Sequence, residues 1–256
     1  MTPGRTGNAS RKVEEGNAVD LDPLGKVSRA QGGGVLKLGS LNRILPLGEQ
    51  AAQSLRTALR RGELLPGQRL TVRDVASTLD VSLTPAREAI NRLVAERVLE
   101  LSGERVAIVP VLTRARYGEL CEIRLNLESL AARASCLLMD DETVAYLERL
   151  YAAHAKAYAA RDAKASLRCN EDFHFTIYAK AGKSYLLQLL ETLWLQVGPS
   201  MNLLFHAAYS EDWKPGRNHR AMLDAIHRRD PAGLARAVRR DLLEGRERLS
   251  ALLPGC

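Results

Sequence analysis

Aromatic residues are scarce, 5% of 256 positions, and there are only four cysteines, Cys121, Cys136, Cys169 and Cys256. No two cysteines form a C-x-x-C pair or a regular framework. That speaks against a disulfide scaffold and for a reduced, cytoplasmic chain. No apolar run approaches the roughly 18 residues needed to span a bilayer. The N-terminus has no apolar h-region, so neither an anchor nor a signal peptide is expected. H-E-x-x-H, a nucleophile elbow and a phosphate loop are also missing, which counts against a metal-dependent hydrolase. What the sequence does have is apolar residues at 46%, with Ala, Leu and Arg prominent, a composition that favours helices. Its length allows one or two domains. The formal net charge of +7 is compatible with nucleic-acid binding but carries little weight alone.

Residues 1–40 are rich in Gly, Ser, Asn and charge, with no apolar period. They read as a disordered tail, or as a start-site or vector remnant. From Gly48 the pattern turns helical, with Ala52, Leu55 and Leu59 on one face and a stop at Gly62. "LLPGQRL" is a Pro-Gly turn into a short extended piece. "TVRDVASTL" opens a second helix, with Thr71 as N-cap and Asp74 at the third position in a capping-box pair. A tight turn leads to a third helix, expected to start with Thr84 as N-cap and Pro85 at its first position. Two short strands around Ser102-Gly103 follow. Residues 41–110 are therefore expected to be one domain and Pro110–Thr113 a linker. Beyond the linker, residues 114–252 read as long helices with short connections. Asp140, Asp162 and Asp230 stand at helix starts, the last followed by Pro231. Short loops between long helices make antiparallel neighbours, hence an all-α bundle. The expected fold is mostly α: an N-terminal winged helix-turn-helix with a small β-hairpin wing, then a bundle of six or seven helices.

Two helices joined by a tight turn, the second with a polar tip, suit insertion into a major groove. The exposed N–H groups and positive dipole end of that helix favour phosphate. An arginine there can fork onto guanine or hold a phosphate. The residues also carry a specific resemblance. Gly62, Leu64, Pro66, Gly67 and Leu70, then Arg73, then Val81, Ser82, Thr84, Pro85, Arg87, Glu88, Ala89 and Leu93 resemble, in kind and spacing, the winged-helix domain of the GntR family of bacterial transcription regulators. The likeness spans about 60 residues. It implies that Arg73, Ser82, Thr84 and Arg87 face DNA and that Gly103 makes the wing turn. Leu83 stands where the family usually has arginine. A leucine cannot fork onto guanine but can meet a thymine methyl, so an altered half-site preference is expected.

In the second half, Asn170 and His174 are four apart and share one helix face. His219 and Asp241 follow in later helices. An oxygen ligand plus imidazoles from separate helices is how bundle metal sites are built, and this set suits Zn, Ni, Mn or Fe without choosing among them. Arg124 and Glu128 in "EIRLNLE", Phe173-His174, Ala181-Gly182 and "AIHRRDPAGLARAV" are similar to the FCD ligand-binding domain of FadR-subfamily GntR regulators. That resemblance implies a pocket, and a divalent metal held by Asn170, His174, His219 and Asp241. Asp241 departs from the usual histidine. Asn170 takes the place that is often Asp.

If Arg124 points inward it needs an anion, either Glu128 or a bound carboxylate effector. The whole then implies a regulator, expected to be a repressor. It would bind a palindromic double-stranded operator as a homodimer and respond to a small carboxylate. A metal-free regulator of acyl or sugar-acid type is the alternative. His154, on an alanine-rich amphipathic helix, is expected to be solvated. His227 is expected to sit at a helix C-terminus; His206 ends the apolar run "MNLLFH", from which the pocket rim is within reach but is not the main expectation. Trp194, Trp213 and Tyr178 are expected in the core.

Overall fold

The computed structural model describes residues 45–103, 106–207 and 216–255. The expected tail lies outside them, as do Trp213 and the side chain of His206. The first 65 described residues run α1 (Leu47–Arg60), β1 (Arg69–Thr71), α2 (Val72–Leu79), α3 (Leu83–Ala95), β2 (Glu100–Ser102) and β3 (Val106–Ile108). Ala51, Ala52, Leu55 and Leu59 recur at helical spacing and form the buried stripe of α1. They meet Ala86, Ala89, Ile90 and Leu93 of α3, where small residues let the two helices approach closely. The extended piece after the Pro-Gly turn is more than a connection. As β1 it pairs antiparallel with β3, so the wing is a three-stranded sheet in the order β1-β3-β2. Gly103 turns it with φ +68°, a conformation that costs glycine little.

The capping box of α2 is as expected: Thr71 accepts from the Asp74 backbone and Asp74 from the Thr71 backbone. The start of α3 is not. The helix begins at Leu83, with Ser82 as an N-cap that makes no side-chain bond. Thr84 and Pro85 lie inside its first turn. Proline is tolerated there because the first backbone N–H groups of a helix have no intrahelical acceptor to lose.

Six further helices follow: α4 (Arg114–Ser135), ending in a single 3-10 turn, α5 (Asp141–Ala159), α6 (Ala163–Ala179), α7 (Ser184–Ala207), α8 (Gly216–His227) and α9 (Pro231–Leu252). Thr113, Asp140, Asp162 and Asp230 each accept a backbone N–H three residues on, which sets the starts of α4, α5, α6 and α9. In the bundle, α4 lies along α9, α5 along α6, and α8 against α9. The winged-helix part is seated on α6 and α7. A Cβ at Gly198 of α7 would lie 2.3 Å from the Leu59 carbonyl oxygen, so only glycine permits this approach. Asn202 donates to the Gly62 carbonyl. At the end of α1, Arg60 and Arg61 hold one buried carboxylate of α6, Glu171, at 2.9 and 3.1 Å.

Candidate functional site

The first candidate face surrounds the start of α3. Ser82, Leu83, Thr84 and Arg87 are exposed on it, with Arg73 of α2 beside them. Whereas α2, α4, α5, α6 and α9 are all capped by side chains, the first amides of α3, at Leu83 and Thr84, have no side-chain cap. Arg73 and Arg87 pair with no described residue, unlike Arg56 and Arg92, which are tied to Glu49. Leu83 is 47% exposed. Together with Leu101 of the wing it edges a concavity between α3 and the sheet, lined also by Arg73, Arg87 and Asn91. Unpaired cations, uncapped amides and exposed apolar groups on one surface match the requirements of a groove-reading helix.

The second candidate site is a cavity of about 70 Å³ inside the bundle. One of its walls is Glu128 of α4, fully buried, which accepts hydrogen bonds from Arg124 Nε (2.7 Å), Tyr178 OH (2.5 Å) and Trp194 Nε1 (2.8 Å). Arg124 is thus inward, and of its two candidate anions the one it pairs with here is Glu128. The guanidinium also lies 4.8 Å over the Trp194 ring. Burial pulls the Arg124 pKa down, but the Glu128 charge and hydrogen bond, together with Tyr117 and Cys121, outweigh that and hold it firmly cationic. Trp194 and Tyr178 are buried as expected, yet both put their polar atoms to use at this hub.

The hub fixes a histidine. Because the Tyr178 hydroxyl donates to Glu128, it must accept from His174 Nδ1, 3.0 Å away. With Nδ1 carrying that proton, Nε2 of His174 points at Asp241 Oδ2 (3.3 Å) and His219 Nε2 (3.2 Å). One ligand-type atom from each of His174, His219 and Asp241 lies within 4.8 Å of the others. Three acceptors this close repel one another unless a proton or a metal cation sits among them. Their donor set and the backing hydrogen bond on His174 suit a divalent metal. His219 has no such backing. Its Nδ1 is buried without a partner, and its ring is held by stacking on Phe173 at 4.5 Å. Burial drives the His219 pKa down to about 3. Burial alone would raise the Asp241 carboxyl, but a proton held between it and His174 Nε2, with the two other histidines beside it, outweighs burial and keeps the group below the ordinary carboxylate range. Asn170 lines the same cavity one turn before His174, so all four sequence-predicted ligands converge on one region.

His154 corrects the sequence reading. It is not solvated but 2% exposed, and it lines the cavity. Burial lowers its pKa to about 4. The signal was present: Leu147, Leu150, His154 and Ala157 are the buried stripe of α5, and the histidine sits on that stripe rather than on the alanine-rich face. Sequence reasoning also missed Asn218. It is buried, donates to Glu244 at 2.6 Å and accepts from Arg240 at 2.9 Å, closing the α8–α9 wall. His227 ends α8 and contacts Glu148 at 3.0 Å on the surface, in line with its expected place.

Residues 47–109 match the family model for bacterial regulatory proteins of the gntR family, and residues 119–244 match the FCD domain model. The chain belongs to the GntR family. Among relatives of this GntR chain, the HTH-type transcriptional regulator McbR of Escherichia coli is 28% identical over 185 residues, 72% of this chain and 84% of McbR. The gluconate operon transcriptional repressor of Bacillus licheniformis is 27% identical over 188 residues, 72% of this chain and 76% of that one. The solved structure of E. coli McbR/YncC superposes with a TM-score of 0.77 at 26% identity, over 82% of this chain and 99% of that one. These relatives are named as transcription regulators. The chain is accordingly a GntR-family DNA-binding regulator with an FCD effector-binding domain, not an enzyme. None of its described helices is long and apolar enough to cross a membrane.

Proposed function

We propose that the chain is a repressor of the FadR type, acting in the cytoplasm. Residues 41–110 bind a palindromic operator, and residues 114–252 take up a divalent metal and a small carboxylate. The observation that carries this reading is the convergence of His174, His219 and Asp241 beside a cavity that Arg124 and Asn170 also line. Asn170, His174, His219 and Asp241 would hold the metal. A Zn, Ni, Mn or Fe ion there would supply positive charge and open positions for an oxygen ligand. Arg124 spends Nε on Glu128 and keeps its remaining N–H groups for an anion. Arg73, Ser82, Thr84 and Arg87 would contact DNA, Leu83 would meet a thymine methyl, and Gly103 would turn the wing against the backbone.

A palindrome read by two heads requires a two-fold dimer. On α4 and the 3-10 turn that ends it, Ile123, Leu127, Leu130, Ala134 and Leu137 repeat every three or four residues, with Ile123, Leu130 and Leu137 exposed. Such a stripe suits a second copy. The route from site to head is short. Glu171, which holds Arg60 and Arg61 of α1, is the residue next to Asn170. An effector that favours one seating of α6 by a few kcal/mol would shift the heads. A second reading, a metal-free regulator responding to a sugar acid, draws support from the unbacked His219 and from the relative named for a gluconate operon.

The test is selection on randomised duplexes with purified protein, followed by metal analysis and titration with carboxylates. Enrichment of a palindrome, stoichiometric metal in the wild type and its loss in His174→Ala are the expected results. No enriched palindrome would overturn the operator reading. Metal retained by His174→Ala would overturn the ligand assignment.

A further inference from the structure

We infer that His154 reads a second oxygen on the effector, so that the site selects carboxylates bearing a hydroxyl or carbonyl on the neighbouring carbon. This rests on the carboxylate reading above. His154 reaches the cavity from α5, a helix that supplies none of the four candidate ligands. Neither Nδ1 nor Nε2 has a hydrogen-bond partner among the described residues, although the side chain is 2% exposed. An imidazole offers at least one N–H donor, and the neutral ring adds one lone pair. A fold that buries both without use gives up stability.

The ring lies outside the set of ligand atoms within 4.8 Å of one another, and its centroid is 5.0 Å from that of His219 at a tilt of 56°. It therefore flanks the ligand set rather than completing it, which is where a group that touches a bound molecule belongs. Size narrows the class further. A water needs roughly 10–15 Å³ of such volume, so about 70 Å³ accommodates a chain of a few carbons with its oxygens and little more. A carboxylate oriented by the metal and Arg124 would leave its neighbouring carbon as the first atom able to present oxygen to His154. The imidazole can donate to a carbonyl or hydroxyl oxygen, and its lone pair can accept from a hydroxyl.

The experiment is calorimetry on metal-loaded full-length protein with matched pairs, glycolate against acetate and 2-hydroxybutanoate against butanoate. Wild type, His154→Phe and His154→Gln are compared, with metal content and cooperative melting measured for each. The wild type is expected to favour the hydroxy acid about tenfold or more, the size of one well-made hydrogen bond. His154→Phe should keep its metal and its affinity for the plain acid while losing the preference. His154→Gln, which keeps a donor and an acceptor, should restore part of it and shows that loss in the Phe variant is not misfolding. Equal binding of both pair members by wild type, or a preference that survives His154→Phe, overturns the role of His154 alone. Binding of no carboxylate by metal-loaded wild type overturns both this inference and the effector reading beneath it.

Discussion

Among the described residues of the winged-helix part every buried side chain is apolar, from Ala51 and Leu55 of α1 to Leu99 and Val109 beside the wing. The bundle instead buries Arg124, Glu128, His154, His174, Asn218 and His219 in its middle. The contrast follows from where each part meets its partner. DNA is a large external surface, so Arg73, Leu83 and Arg87 need only be displayed, and the core beneath them is free to be a plain apolar wedge. A small molecule must be enclosed, so the bundle carries polar groups inside and pairs Arg124, Glu128, Tyr178 and Trp194 with one another. Burial of that kind is expensive unless it is paired, and Glu128, with three donors on its two oxygens, pairs most of it, leaving the His154 ring and His219 Nδ1 without partners among the described residues.

The largest expected effect sharpens this difference. Glu128→Ala would leave the Arg124 guanidinium buried without its anion and would take the acceptor from Tyr178 and Trp194. Removing one partner of a buried pair costs about 3–5 kcal/mol, which urea unfolding of the full chain would read as a lower midpoint. A loss below about 1 kcal/mol would mean that the bundle core does not depend on its polar hub.

Acid provides the next test. In metal-stripped protein, burial holds His154 near pH 4 and His219 near pH 3, below the ordinary histidine value of about 6.5. As the pH falls below about 6.5 the unfolded chain takes up protons that the folded bundle refuses. The contribution of neutral His154 is thus whole above that pH and lost as the pH drops toward 4, by up to about 3 kcal/mol. Thermal melts across that range should show Tm declining, and reloading the metal should flatten the decline. Among its described residues the winged-helix part has no buried titratable group, and it should contribute little to the decline.

The smaller effects fall on the displayed face. Arg87→Ala should leave stability within about 0.5 kcal/mol, because the side chain is exposed and unpaired. Operator binding at fixed salt should weaken by about 1–3 kcal/mol. Leu83→Arg should change the preferred base at one position of each half-site with little loss of overall affinity, as read by repeating the duplex selection. Coincident losses of stability and operator binding in Arg87→Ala would erase the distinction between a displayed and an enclosed site.

The amino-acid sequence by itself determined the parts whose physics is local. Apolar stripes spaced three and four apart placed the helices. Thr71, Asp140, Asp162 and Asp230 placed helix starts, because a side-chain oxygen three residues before a free N–H needs no distant partner. Asn170 and His174 were legible as neighbours for the same reason: four residues on a helix is one turn. The family resemblance then carried His219 and Asp241 to the same region. Tertiary structure alone decided what depends on residues far apart in the chain. β1 became a sheet strand only because β3 returned beside it. Arg124 took Glu128 as its partner because Tyr178 and Trp194, 50 and 66 residues beyond Glu128, closed around the same carboxylate. His154 was turned from a solvent-facing expectation into a cavity wall by the packing of α5 on α6 and α8. The stripe on α5 said which face is buried, but only the assembled bundle says what that face is buried against.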